Sequence, residues 1–538
     1  MRRVGRVGRV AEKKKGLQTK LKLSLAILFT AGVAAVSIAA SIPKEHQISA
    51  NKDHQISANP EPGARIGSNS IIDIVPTEGS IWFGTGRGLS QLHLNGTGWA
   101  TLDQSDGLGR GGVSALAVTD STIWAATAYT EEVRGDFFPA GGGVGYSRDD
   151  GETWTWMRQP VDSVGETNYS PTTTNIQNVT YDIALTDSAA WIVSWGGGLR
   201  RLKYGESAWH VYTVDGNPFS PGPPRNLLAH RTFSTAYDGT FLWVGSAAGV
   251  HRTSDEGANW NTFSHVAGNN STLSGNFVTA LGVQKLTAKT LVWAATWRAE
   301  QVNEYYGVTV TEDGGANWRV ALSDSTVLDN GEYLIDVYGP LRAHNFGFSD
   351  SVVYVCADEV LWQSNDLGFT WTERASDQLT ISDPTTGEEF VTTDFFSAAG
   401  VGDSLWVGSD DGLAVGWFDG EFKWRIHRAF QSPGTSGQPD TYSYPNPFSP
   451  ARGHTVRFQF PLGSPSSVHF EVFNFAMEPV YSSPDIQLPG GGTGDQAEYG
   501  AVAWDGKTDQ GNSVANGVYF YLVKAGGNDY WGKVMVLD

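Results

Sequence analysis

One cysteine, Cys356, is present among 538 residues, so no disulfide can close within the chain. It stands in the apolar run VVYVCA and reads as a small buried core side chain. Charge is also scarce: 17% of residues are charged, with 37 basic against 57 acidic, a formal balance of −20. After residue 40 no apolar run is long enough to span a bilayer. No segment of the body keeps a 3.6-residue apolar period, which excludes a helical solenoid. GxSxG, HExxH and phosphate-binding-loop strings are missing too. These absences leave a chain held by a large core and many turns, with no cofactor or metal site announced by motif.

The first 40 residues differ from the rest. Nine basic residues between Arg2 and Lys22 precede the apolar run LSLAILFTAGVAAVSIAA, and small residues follow at Ser37, Ala39 and Ala40. That order predicts a secretory signal peptide over 1–40, with an uncleaved signal anchor as the alternative. Its removal takes the formal balance to −28, which argues against nucleic acid as a partner and leaves no membrane span. Residues 41–69 contain the near-duplicate HQISANKDHQISANP and are polar throughout. No cysteine or carboxylate cluster completes a metal set around its histidines, so the segment reads as a flexible linker.

What the chain has in excess is glycine (65) and tryptophan (20), set in a repeat. An apolar strand holding an aromatic residue recurs at Trp82, Trp124, Trp191, Trp243, Trp293, Tyr354 and Trp406. A short apolar strand precedes most of these, and a third strand, a turn and another aromatic follow. Each unit reads as a four-stranded meander. Seven such units over 70–429 predict an all-β chain built on a seven-bladed β-propeller. Six or eight blades stay open, because 62–70 could supply a closing strand.

Four units carry one octet: SRDDGETW, TSDEGANW, TEDGGANW and SNDLGFTW. Ser147, Thr253, Thr311 and Ser364, with Asp149, Asp255, Asp313 and Asp366, can accept bonds from nearby backbone N–H groups. Gly151, Gly257, Gly315 and Gly368 allow positive φ, and Trp154, Trp260, Trp318 and Trp371 can pack between neighbouring sheets. A repeat distributes identical aspartates around a ring, whereas catalysis needs differently tuned groups at one place, so the octets read as structural. The pattern resembles the Asp-box of sialidase-like propellers. Units one and seven, IWFGTGRGLSQLHLNGTGWATLDQSDGL and LWVGSDDGL, instead resemble repeats of the periplasmic sensor propellers of two-component regulators.

In a meander the first-to-second and third-to-fourth turns share one face of the ring, and the other connections share the opposite face. The octets lie at third-to-fourth turns. The long insertions at 128–142, 158–178, 213–231, 264–275, 297–307 and 376–391 therefore fall on the far face, where loops carry function. Two of them combine aromatic and charged residues: Tyr129, Glu131, Arg134 and Phe137 in one, Trp297, Arg298, Glu300, Tyr305 and Tyr306 in the other. Such sets suit a glycan or a protein ligand. The sialidase resemblance implies three arginines, a Tyr–Glu nucleophile pair and an aspartic acid/base. The nearest match to its Arg-Ile-Pro string is Arg65-Ile66-Gly67, without the proline, so that catalytic set does not carry over and no catalytic residue is assigned.

After a Pro/Gly/Ser-rich linker at 430–443, residues 444–538 alternate apolar strands with Asp-Gly and Asn-Gly turns, predicting a small Ig-like β-sandwich. YPNPFSP, WDGKTDQGNSVANGVYFYL and the terminal KVMVLD resemble the flagellar hook-capping-type Ig-like domain and the C-terminal sorting domain of type IX secretion cargo. The resemblance implies secretion machinery as a partner and a secreted or cell-surface location. The expected function is a non-catalytic exported propeller binding a glycan or protein through its loop face. The alternatives are a carbohydrate-active hydrolase or lyase, and a structural module of a surface assembly.

Overall fold

Strings such as SIWFGT are buried at every position, on both sides of the pleat. A strand buried on both faces belongs to a sheet lying between two others, and stacked sheets are what the chain builds. The computed structural model describes residues 66–537, apart from breaks at 95–97, 120, 222–224, 299–303, 324, 328–332, 336–340, 377–378, 385–387, 391, 393, 420, 430–440, 445, 453–454 and 489–498. The predicted signal peptide and nearly all of the first linker lie outside the described residues.

Seven four-stranded antiparallel sheets follow one another in sequence order. The first strands of sheets one to seven begin at Ile71, Gly112, Thr180, Thr232, Phe277, Ala343 and Phe395. One apolar cluster fills each junction between successive sheets, and a seventh joins Ala399, Trp406 and Leu413 to Ile71, Ile81 and Phe83. The last sheet thus packs on the first, and the fold is a β-propeller. Residues 66–70 form no strand; the Ser397 hydroxyl donates to the Ile71 carbonyl at 3.3 Å, and Asn69 Oδ1 accepts the Ala429 N–H at 2.6 Å. Cys356 is fully buried among the apolar residues of sheets six and seven, and burial pushes its thiol up.

Each first strand carries a bulge near its start, seen as register shifts beside Ile72, Ser114, Tyr181, Phe233, Thr279, His344 and Phe396. A bulge re-aims one side chain out of the pleat. All seven are buried, and neighbours touch: Tyr181 and Phe233 lie 6.1 Å apart between ring centroids, His344 and Phe396 5.3 Å.

The octets sit where the meander places them, between third and fourth strands. In SRDDGETW the Ser147 hydroxyl donates to Asp149 Oδ1 at 2.7 Å and accepts the Gly151 N–H at 2.9 Å; Asp149 accepts from the Thr153 N–H at 2.9 Å. The other three copies repeat these bonds, with Asn259, Asn317 and Thr370 at the place of Thr153. The octet glycines have φ between 81° and 93°, and each faces an aromatic ring of the preceding sheet: Trp82, Trp191, Phe263 and Trp293. The closing tryptophans enter the same junctions, Trp318 edge-on to Trp243 and Trp371 edge-on to Trp293.

The second domain is two sheets, one of Tyr442–Tyr444, Val456–Pro461 and Tyr499–Trp504, the other of Pro479–Ser482, Ser466–Phe473, Gly517–Ala525 and Asn528–Val536, with Ile486–Leu488 also pairing with Ser466–Phe473. Phe458, Phe470, Trp504 and Tyr521 fill the space between them, Phe458 stacked on Tyr521 at 3.9 Å. DGKTDQGN closes as a turn, with a bridge between Lys507 and Ser513.

Candidate functional site

The loop-bearing face is more regular than its sequence suggests. Residues 128–142 are the tip of a hairpin formed by Thr122–Val133 and Asp136–Ser147 rather than an irregular insertion. Tyr129, Thr130, Val133, Phe137 and Phe138, all residue types that favour strands, extend the two strands, and Arg134 (φ 57°) with Gly135 (φ 92°) makes the reversal. Beside it, the 158–178 connection is pinned by a buried ion pair: Arg200 reaches both oxygens of Asp162 at 2.8 and 2.9 Å, and Asp162 also accepts the Thr172 N–H.

Between hairpin and connection opens a cleft of about 720 Å³, off the centre of the ring. Tyr129 lines it. The Arg110 guanidinium lies 3.8 Å above the Tyr129 ring, and the phenol oxygen accepts from Asn175 Nδ2 at 2.7 Å. Trp156 adds a second ring, 47% exposed, its indole N–H donating to the Gly142 carbonyl at 3.2 Å. Arg158, Gln159 and Thr174 supply further polar groups. No described residue lining the cleft is a carboxylate.

Of the other sequence-predicted residues, Glu131 stands at the edge, 3.5 Å from Arg110. Arg134 and Phe137 are exposed at the hairpin tip. The second set does not join them: Trp297 stacks against Phe277 and meets His344 edge-on, Tyr306 packs on Trp297, and Tyr305 meets His265. Arg298 is half-buried nearby, and Glu300 lies outside the described residues.

Several solved structures resemble the chain. PorZ, an essential bacterial surface component of the type IX secretion system of Porphyromonas gingivalis, aligns over 88% of this chain at 14% identity and TM-score 0.35; this chain spans 66% of its length. YCF48 from Cyanidioschyzon merolae aligns over 67% of this chain and 97% of its own, at 13% identity and TM-score 0.38. The extracellular domain of the two-component system protein BT4673 from B. thetaiotaomicron covers 87% of this chain and 69% of its own, at 12% identity and TM-score 0.27. No family profile and no curated protein matches the sequence. The propeller assignment rests on the sheet order and the seven junctions.

Of the cleft residues named above only Tyr129 was anticipated, and Arg110, Trp156, Arg158, Gln159, Thr174 and Asn175 escaped the sequence reading. Arg110 stands in the glycine-rich string GLGRGG and Asn175 in the polar run TTTN, and neither string contains an aromatic residue. Trp156 follows the octet Trp154 by two places in TWTWM, so strand alternation puts both rings on one face and gives no sign that the second stands exposed in a cleft.

The second domain meets the same face at the Ser409–Gly412 turn of sheet seven. Asp411 is held between Arg428, at 3.1 Å, and Arg457 of the second domain, all three side chains at most 5% exposed. Tyr444 Oη donates to the Asp410 carbonyl at 3.1 Å. Asp410 itself is buried beside Asp394 and Asp411, and burial first, then those charges, pushes its carboxyl up to about 7.

The octet aspartates shift the other way. Bonds from Asn259 and Thr370 hold Asp255 and Asp366 at about 2, and Asp149 and Asp313 are also lowered. Groups with a lowered folded pKa stabilise above the unfolded value and lose that contribution as pH falls through the folded one; a raised carboxyl is least costly at low pH. Asp410 should therefore add stability as pH falls through about 7. Buried His251, held by desolvation at about 3, should offset that gain below about 6.5, and the octet aspartates should remove stability between about 4 and 2. Thermal melts across pH would check this, and Asp410→Asn should remove the gain near pH 7 alone.

Proposed function

We propose that the chain is an exported, non-catalytic β-propeller that binds a glycan through the cleft around Tyr129, with the second domain serving secretion or surface attachment. The observation carrying this reading is the cleft itself: two aromatic faces, Tyr129 and Trp156, flanked by guanidinium, amide and hydroxyl groups. Aromatic faces take the apolar side of a sugar ring, and the polar groups take its hydroxyls. Glycoside hydrolysis needs two carboxylates flanking the bond, and the described lining offers none, which favours binding over turnover. Exposed Phe475, Met477 and Trp531 give the second domain an apolar surface suited to attachment.

A glycan array followed by product analysis tests the reading. A bound glycan should remain intact, and Tyr129→Ala or Trp156→Ala should weaken its binding about tenfold, the scale of a lost aromatic–sugar contact. Turnover of the glycan would favour the hydrolase or lyase alternative; capture of a protein and no glycan would favour the assembly module.

A further inference from the structure

The octet face, which the repeat pattern marks as structural, holds a larger cleft of about 860 Å³, within the range of small-ligand sites. It is framed by the first-to-second-strand turns of sheets two to five and the third-to-fourth-strand turns of sheets two and three. Arg148, Lys285 and Asp187 reach it, with the rings of Tyr204 and Tyr237. Neighbouring charges pair among themselves, Arg201 with Glu256 and Lys289 with Glu312, and leave these three out. Among the described lining residues two cations stand against one acid, the nearby Asp238 carboxylate being engaged by the Thr240 and Phe241 N–H groups and the Trp243 indole, and cations in a concave site focus a positive potential.

The wall behind them is built rather than incidental. The Arg148 guanidinium lies 5.3 Å from the Tyr146 ring centroid, and Tyr146 stacks on Trp124 at 4.7 Å. Trp124 lines the cleft and is 1% exposed, yet its indole N–H has no acceptor. Among its counterparts Trp243 donates to Asp238 at 2.7 Å and Trp293 to Gln284 at 3.1 Å, while Trp82 of sheet one also lacks an acceptor. A buried donor without a partner is costly, and a ligand oxygen would meet it. Burial raises the Tyr204 phenol, with Arg148 opposing and Asp187 adding, which places the three side by side. Lys285 Nζ stands 3.8 Å from where a Cβ on Gly239 would be, so the amine lies over a bare stretch of backbone.

We propose that this cleft binds an acidic saccharide, with Arg148 and Lys285 taking the carboxylate or sulfate, Tyr204 and Tyr237 the ring, and the Trp124 N–H a ring substituent. An acidic peptide fits less well, because turns rather than an open strand edge frame the cleft and no backbone ladder is offered to a peptide.

The test is calorimetric titration of the intact chain with oligogalacturonate and with a sulfated oligosaccharide, alongside a neutral oligosaccharide of equal length and an oligoglutamate peptide. The proposal expects saturable binding of at least one acidic saccharide, weakened by salt and reduced at least tenfold in Arg148→Gln and in Lys285→Gln. Both side chains are exposed, so circular dichroism should be unchanged. Tyr129→Ala, on the opposite face, should leave this binding intact, which separates it from the loop-face site. Three results would overturn it: no saturable binding of either acidic saccharide, equal binding of the neutral one or the peptide, or affinity unmoved by both substitutions.

Discussion

Replacing Asp411 by alanine should destabilise the protein by about 3–5 kcal/mol, the cost of leaving buried charge uncompensated. Asp411 faces two guanidinium groups, Arg428 of the propeller and Arg457 of the second domain, and the three side chains are almost wholly removed from water. Taken out alone, the carboxylate leaves two like charges buried together. Both cations keep bonds to the Glu389 carbonyl, which hold them in place instead of letting them swing to solvent. Chemical denaturation should show the loss, and limited proteolysis should show faster cutting within 430–440. Arg457→Met should cost less, because Asp411 keeps Arg428 and the replacement fills the space with apolar volume. A loss under about 1 kcal/mol in the alanine variant would mean the triad behaves like a surface pair and does not hold the domains together.

The second large effect is expected at an octet glycine. Gly151→Ala should cost about 2–4 kcal/mol, combining left-handed strain with overpacking. At φ 90° an L side chain is strained in itself, and the added Cβ would stand 2.6 Å from the Trp82 ring of the preceding sheet. Trp82 is fully buried and cannot yield without disturbing the junction behind it. Gly402→Ala supplies the comparison: its φ is 57° and nothing lies within 4 Å of the added carbon, so only the local strain of about 1 kcal/mol remains. Equal melting shifts in the two variants would refute the idea that octet glycines are set by the neighbouring sheet.

The meander and the octet turns were legible because each leaves a local trace. Trp82, Trp124 and their counterparts mark second strands, and the spacing from Ser147 to Trp154 fixes a turn within one unit. The bulges at Tyr181, Phe233 and Phe396 left no such trace: a bulge adds one residue to a strand and alters no composition. Asp411 was readable only as half of an Asp-Asp-Gly turn, since its partner Arg457 lies 46 positions later in another domain. The Tyr129 cleft was half legible. Its hairpin could be found from aromatic and charged residues, while Arg110 and Asn175 arrive from connections on either side of sheet two. The same limit hid the octet-face cleft, whose residues come from separate turns of four sheets.

The bond between Asn69 and Ala429 puts the entrance and exit of the ring at one point, and among the described residues no strand is shared across the closing junction. That junction has only side-chain packing and a few hydrogen bonds to resist being pulled open. A tension applied to the second domain would pass through Arg457 and Asp411 into sheet seven, ahead of the linker at 430–440. If that domain is the tether, the triad spreads the load over sheet seven before it can unzip the seam from its free end.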